Sequence, residues 1–286
     1  MKLLTLMIFL SGFGATSAVG AAPASLENFD YKVNLSETLP GVDNAPPTVD
    51  GPVINVDVTD KLRNNTTRFP LKVYSINEYF LVDDKLNLLC RTTLRDTTRQ
   101  FYSMIQLNLS NASDSRQFSG LKKYFFSSDN GSLLAVFDQG GQEEALGLIR
   151  LNQGPAQLGW IYSEREQTNL FLKALPALGK NIRLASVVGW SADALTAAFV
   201  LSGNEGTADA PVLKYYLACV TLDGDHFQTA VEPVDLSAYA LPAGGTIDKI
   251  DCVGNQATLY FLPKNMADNG KVTFKLPQPS GASKKD

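Results

Sequence analysis

Phe126-Ser127-Ser128-Asp129-Asn130-Gly131-Ser132-Leu133-Leu134-Ala135 decides how this chain is read. Its first half is a polar turn: Ser and Asp side chains hydrogen-bond nearby backbone, and Asn or Gly tolerates a positive φ. Its second half is a short apolar run bounded by turn residues, the pattern of a buried strand. The theme returns in Trp190-Ser191-Ala192-Asp193-Ala194-Leu195-Thr196-Ala197-Ala198-Phe199. Looser copies are Asp251-Cys252-Val253-Gly254-Asn255-Gln256-Ala257-Thr258-Leu259-Tyr260 and Phe80-Leu81-Val82-Asp83-Asp84-Lys85-Leu86-Asn87-Leu88-Leu89. Aligned on Leu88, Leu134, Ala197 and Leu259, the copies stand 46, 63 and 62 residues apart.

Working outward, the pattern is strands and turns from Val53 onward. Short apolar or alternating runs include Leu86–Thr93, Phe101–Leu109, Ala145–Leu151, Val212–Leu222 and Ile247–Val253. Turn residues separate them, among them Asp83-Asp84, Gly140-Gly141, Asp223-Gly224 and Asn269-Gly270. No stretch keeps a helical period over three turns. Many short strands with recurring turn signals define a sandwich, a barrel or a propeller. The first two copies resemble the Ser-x-Asp-Gly turn and small apolar strand of WD40-like and TolB-like β-propeller blades. They lack the Trp-Asp ending and the His of WD40 repeats. The resemblance implies an all-β, propeller-like domain of four or five blades over residues 51–276, with a β-sandwich as the alternative. Small residues such as Ala135, Ala197 and Ala198 suit the crowded region near a propeller axis.

The N-terminus carries a different signal. Lys2, an apolar run from Leu3 to Phe13 and small residues from Ala15 to Ala24 form the three regions of a secretory signal peptide, expected over residues 1–21. The apolar run falls short of the roughly 20 residues that span a bilayer. Residues 22–50, rich in Pro and Gly, read as an extended leader with one short strand, and 277–286 as a frayed tail. The expected mature chain is secreted, extracellular or periplasmic, monomeric, and without a membrane span. Its net charge of −4 and pI near 5.2 leave no basic footprint for nucleic acid.

Reactive chemistry is sparse. The single histidine, His226, excludes His-rich metal sites, so neither a metal nor a cofactor is expected. The three cysteines allow one bridge at most, and Cys219–Cys252 is the preferred pair; the alternative is three buried small hydrophobes. A glycan hydrolase or lyase needs two carboxyls roughly 5 to 10 Å apart. Asp138, Glu143, Glu144, Glu164, Glu166, Asp193 and Asp251 are candidates, and their spacing selects no pair. Asn-x-Ser/Thr occurs six times, and in a eukaryotic chain Asn34, Asn64, Asn108, Asn111 and Asn130 are the expected glycan acceptors. The sequence leads to a non-catalytic recognition module for a protein or glycan partner, with Trp160, Tyr162 and Trp190 as loop contacts. The rivals are the carboxylate-dependent hydrolase or lyase and a structural surface protein.

Overall fold

The computed structural model describes residues 25–38, 53–73, 75–93, 100–140, 144–152, 154–171, 182–207, 210–239, 246–262 and 270–278. The expected signal peptide, residues 39–50 of the expected leader and the tail beyond Gln278 lie outside these residues. Among the described residues strands dominate, and the helices are two single 3-10 turns, Ala112–Asp114 and Ser237–Tyr239. No helix here is long and apolar enough to cross a membrane.

β1 (Ser25–Glu27), β2 (Tyr31–Thr38), β3 (Val53–Asp60) and β4 (Asn65–Lys72) form an antiparallel meander, I. It belongs to a compact unit that ends at Leu71; a second unit holds the chain from Lys72 onward. Residues 25–38 are therefore strands rather than an extended leader. Alternation explains the difference: Val33 and Leu35 are buried and lie opposite Val58 and Val56 of β3.

In the second unit β5 (Ser75–Val82), β6 (Lys85–Thr93), β7 (Gln100–Asn108) and β8 (Arg116–Phe126) lead into β9 (Ser132–Asp138), β10 (Glu144–Arg150), β11 (Gln157–Ser163) and β12 (Thr168–Asn169). All eight run as one continuous antiparallel sheet. It is two meanders joined through β8. Residues 116–121 pair with β7, and residues 121–126 pair with β9. Gly120, at φ 81°, sits at the changeover in a backbone region that other residues avoid, and register shifts flank it. β8 is thus the last strand of meander II and the first of meander III.

Meander IV comprises β13 (Arg183–Leu184), β14 (Gly189–Trp190), β15 (Thr196–Thr207), β16 (Ala210–Asp223) and β17 (His226–Val234). Meander V is β18 (Thr246–Val253), β19 (Gln256–Leu262) and β20 (Lys271–Lys275). One hydrogen bond recurs in all five meanders. The carbonyl just before one long strand accepts an N–H at or just past the end of the next: Asp30 from Lys61, Asp84 from Leu109, Gly131 from Leu151, Leu195 from Leu222 and Asn255 from Leu276, at 2.7–2.9 Å. The repeats therefore number five, one more than the four sequence copies, the added one lying in meander I.

Two turns match in further detail. Ser127 Oγ and Ser191 Oγ donate to Asp129 Oδ1 (2.6 Å) and Asp193 Oδ1 (2.5 Å). The same carboxylate oxygens accept from Gly131 N (2.8 Å) and Leu195 N (3.1 Å), and the serine hydroxyls accept from Ser132 N and Thr196 N (2.9 Å each). Asn130 and Ala194 take the positive φ, 56° and 60°. The equivalence sets the spacing of these copies at 64 residues rather than 63 (191 − 127).

Successive meanders of the second unit bury their faces on one another. Leu89 and Met104 of II share a core with Leu133, Ala135 and Ile149 of III. Leu134, Val136 and Leu148 of III meet Phe199, Leu201 and Tyr216 of IV. Ala198, Val200 and Leu217 of IV meet Ile250, Leu259 and Phe261 of V. β9 and β15 are apolar at consecutive positions because both of their faces are covered. This serial packing is propeller-like and all-β; a sandwich would bury only one face of each sheet. First strands abut: Ser186 and Ser191 bridge in parallel to Ile247 and Cys252 of V. A Cβ at Gly189 would fall inside van der Waals contact with the Ile250 carbonyl.

Candidate functional site

The three rings expected as loop contacts are strand residues of the cores. Trp160 packs edge-on against Phe137, with centroids 4.9 Å apart. Tyr162 is buried, and its hydroxyl donates to Glu164 Oε1 at 2.7 Å. A bulge at Leu146/Gly147 sends Trp160 to the II/III core and Tyr162 to the III/IV core. Trp190 packs on the III/IV core with its indole Nε1 buried and without an acceptor. The bulge thus divides Trp160 from Tyr162 and Trp190, and all three rings serve core packing.

The cysteines are buried and unbridged. Cys219 and Cys252, the preferred pair, lie in the IV/V core, where their thiols donate to the Pro277 and Gly189 carbonyls at 3.2 and 3.4 Å. Burial pushes Cys219 and Cys252 up to about 11 and Cys90 up to about 12. They occupy the place of small hydrophobes.

Among the sequons, Asn64 and Asn111 are exposed. Asn34 is half-buried in β2, and Asn130 is half-buried in its turn. Asn108 is buried, and its Oδ1 accepts from Ser110 N, Ser110 Oγ and Asn111 N at 2.9–3.1 Å. A glycan on Asn108 would have to displace that turn.

The carboxylates are dispersed as well. Asp138 and Glu144 are cross-strand partners, and Lys122 Nζ lies 3.3 and 3.2 Å from them. The ammonium fills the space between the two acids, so this triad clamps β8, β9 and β10. Asp251 pairs with Lys249 at 2.9 Å, and Asp193 is committed to its turn. Glu143 lies outside the described residues. His226 is exposed at the β16–β17 hairpin. Among the described residues no group of three or more His, Cys, Asp or Glu could hold a metal ion.

A cleft of about 200 Å³ separates the matching turns of III and IV, lined by Asp129, Asn152, Leu195 and Gly224 with Arg150 nearly buried. It is smaller than the 300–1,000 Å³ of most ligand pockets. Its polar groups serve the fold: Asp129 holds its own turn, and Arg150 donates to the Gly224 carbonyl at 2.6 Å.

Convergence occurs instead between meanders II and III. Phe80 of β5, Tyr102 of β7, and Tyr124 and Phe126 of β8 pack at the margin of the II/III core, each half-buried. Their rings meet edge to face: Phe80–Phe126 at 5.5 Å, Tyr102–Tyr124 at 5.0 Å and Tyr124–Phe126 at 6.0 Å. Glu78 of β5 stands beside Tyr124. Glu78 is an exposed position of β5, but packing around its carboxyl raises it above the usual carboxylate range, and the Tyr124 hydroxyl partly offsets that. Tyr124 is itself pushed above the ordinary phenol range by burial, then by Glu78 and Tyr102. Arg91 of β6 is the direct cross-strand partner of Tyr102, so their side chains share a face. Its Nε is buried without an acceptor.

The cluster combines aromatic rings, a carboxyl raised above the usual range and one guanidinium N–H without an acceptor. The signal available in the sequence was polarity at strand positions: Glu78 in Ser75-Ile76-Asn77-Glu78-Tyr79-Phe80, and Arg91 after Leu88-Leu89-Cys90.

No protein-family model matches the chain, and no curated protein is similar to it by sequence. Solved structures similar to it include the β-propeller domain of the Trilobed protease from Pyrococcus furiosus. That match is 6% identical, covers 89% of this chain and 84% of that one, and has a TM-score of 0.31. The Bacillus subtilis arabinanase Arb43A is 10% identical over 88% of this chain and 92% of that one, with a TM-score of 0.25. The Pyrococcus horikoshii acylaminoacyl peptidase is 9% identical over 64% of this chain, with a TM-score of 0.36; the match spans 27% of the peptidase chain. Likeness at this level carries nothing about activity.

Proposed function

We propose that this chain is a recognition module that binds a protein or glycan partner non-catalytically, at the cluster between meanders II and III. The observation that carries it is the ring group of Phe80, Tyr102, Tyr124 and Phe126 with Glu78 at its edge. Such rings lose little entropy on contact and present an apolar body with a polar tip, the combination that dominates binding hot spots. Glu78 and the two phenols supply hydrogen bonds at the rim.

One observation favours the hydrolase reading. A carboxyl raised by burial can hold a proton for a leaving group. A glycosidase also needs a second carboxyl within about 10 Å, and the causes acting on Glu78 are burial and Tyr124. The test is to probe glycan and peptide arrays with the purified chain while assaying the bound glycans for cleavage. Binding without turnover, weakened several-fold by Glu78→Gln and Tyr124→Phe, is expected. Turnover abolished by Glu78→Gln would replace this reading with the hydrolase.

A further inference from the structure

Arg91 is the unexplained group at the cluster. It lies on β6 opposite Tyr102, whose ring reaches Tyr124 at 5.0 Å. Its Nε–H is buried and finds no acceptor, and among the described residues no carboxylate pairs with it. Glu78, on the neighbouring strand, is influenced by burial and Tyr124 rather than by this cation. Arg91 as a whole is half-buried, but an N–H withdrawn from water without an acceptor is costly. Buried donors in folded proteins almost always find an acceptor, so one left open at a ring cluster points to a ligand that supplies it.

We propose that the site prefers a saccharide bearing a carboxylate, with the acid group on Arg91 and the sugar ring against Tyr102 and Tyr124. The proposal rests on the recognition reading above and narrows its partner to acidic glycans. A planar guanidinium matches a carboxylate with paired N–H donors, whereas an ammonium offers only a point charge. Glu78 accepts sugar hydroxyl hydrogens when ionised and donates when protonated.

The test uses oligogalacturonate and its methyl ester, which lacks the charge and carries one extra methyl per esterified residue, titrated into the full chain by calorimetry at two salt concentrations. The expected result is at least about tenfold tighter binding of the free acid, reduced by salt. Arg91→Gln should erase the preference while leaving residual binding of both forms, and Arg91→Lys should restore part of it. Thermal melts of both variants confirm folding, and the Lys variant remains informative if the Gln variant fails to fold. Equal affinity for acid and ester overturns the acid preference and leaves recognition standing. A preference that survives Arg91→Gln assigns the charge reading to another residue and overturns the proposal. Binding to peptides alone, or to neither saccharide, also overturns it.

Discussion

Ser127 and Ser191 close two turns 64 residues apart with the same hydrogen bonds. In each, one hydroxyl and one carboxylate oxygen replace backbone partners that a tight turn leaves open. Ser127 is buried and Ser191 is half-buried. Ser127→Ala should therefore cost about 1 kcal/mol, the ordinary worth of a buried hydrogen bond, and Ser191→Ala less. Urea unfolding with unchanged slope would establish this; equal effects would refute the distinction.

Asp193 gives the second turn a pH dependence. Hydrogen bonding from Ser191, then from the Leu195 amide, holds its carboxyl below the usual range. A lowered pKa in the folded chain stabilises it above the unfolded value near 4, and that contribution disappears as pH falls through the folded value. Asp193→Asn should flatten stability between pH 5 and the acid limit, roughly. A variant as acid-sensitive as the parent would contradict the assignment.

Glu78 runs in the opposite sense. Its folded pKa is raised, so the protonated form is the favoured one and stability falls as pH rises from the unfolded value through the folded value. Glu78→Gln should raise the melting temperature at neutral pH and change little below about pH 4. Loss of stability at pH 7 would mean that the ionised carboxyl is held by partners instead.

Gly189 faces the Ile250 backbone where the first strands of meanders IV and V abut. Gly189→Ala forces those strands apart and should destabilise by about 1–3 kcal/mol. Gly224→Ala, with open space around the added methyl but a positive φ of 54°, is a control for backbone strain alone. Comparable losses in the two variants would deny the close approach.

The thiols offer a chemical test. Cys90, Cys219 and Cys252 are buried and their pKa values are raised, so thiolate is scarce at neutral pH. In the reduced, folded chain all three should resist a thiol reagent at pH 7 and react together on denaturation. Rapid labelling of any one in the native state would show a local opening that the packing does not predict.

Much of the fold was legible because two-sided burial writes itself into strands. Leu133–Phe137 and Ala197–Leu201 are apolar throughout since meanders cover both faces. The matched turns were legible because Ser and Asp act within a few residues of themselves. The first meander was harder to read, since Pro and Gly outweigh the alternation of Tyr31, Val33 and Leu35. β17 was missed: His226–Val234 mixes Gln, Thr, Glu and Pro with its few buried residues. The candidate site was not legible. Glu78, Arg91 and Tyr102 are brought to one face by the register of β5, β6 and β7, and Tyr124 reaches Tyr102 from the half of β8 that pairs with β9.

β8 gives the repeats an unusual grammar. One strand finishes meander II and begins meander III, so no linker exists at which either could be excised. A proline in 116–119 strips an edge from β7 and one in 123–126 strips an edge from β9, while a change at Leu121 touches both. The two should melt as a single cooperative block, and any duplication that added a repeat here had to cut within a strand and splice its halves back in register.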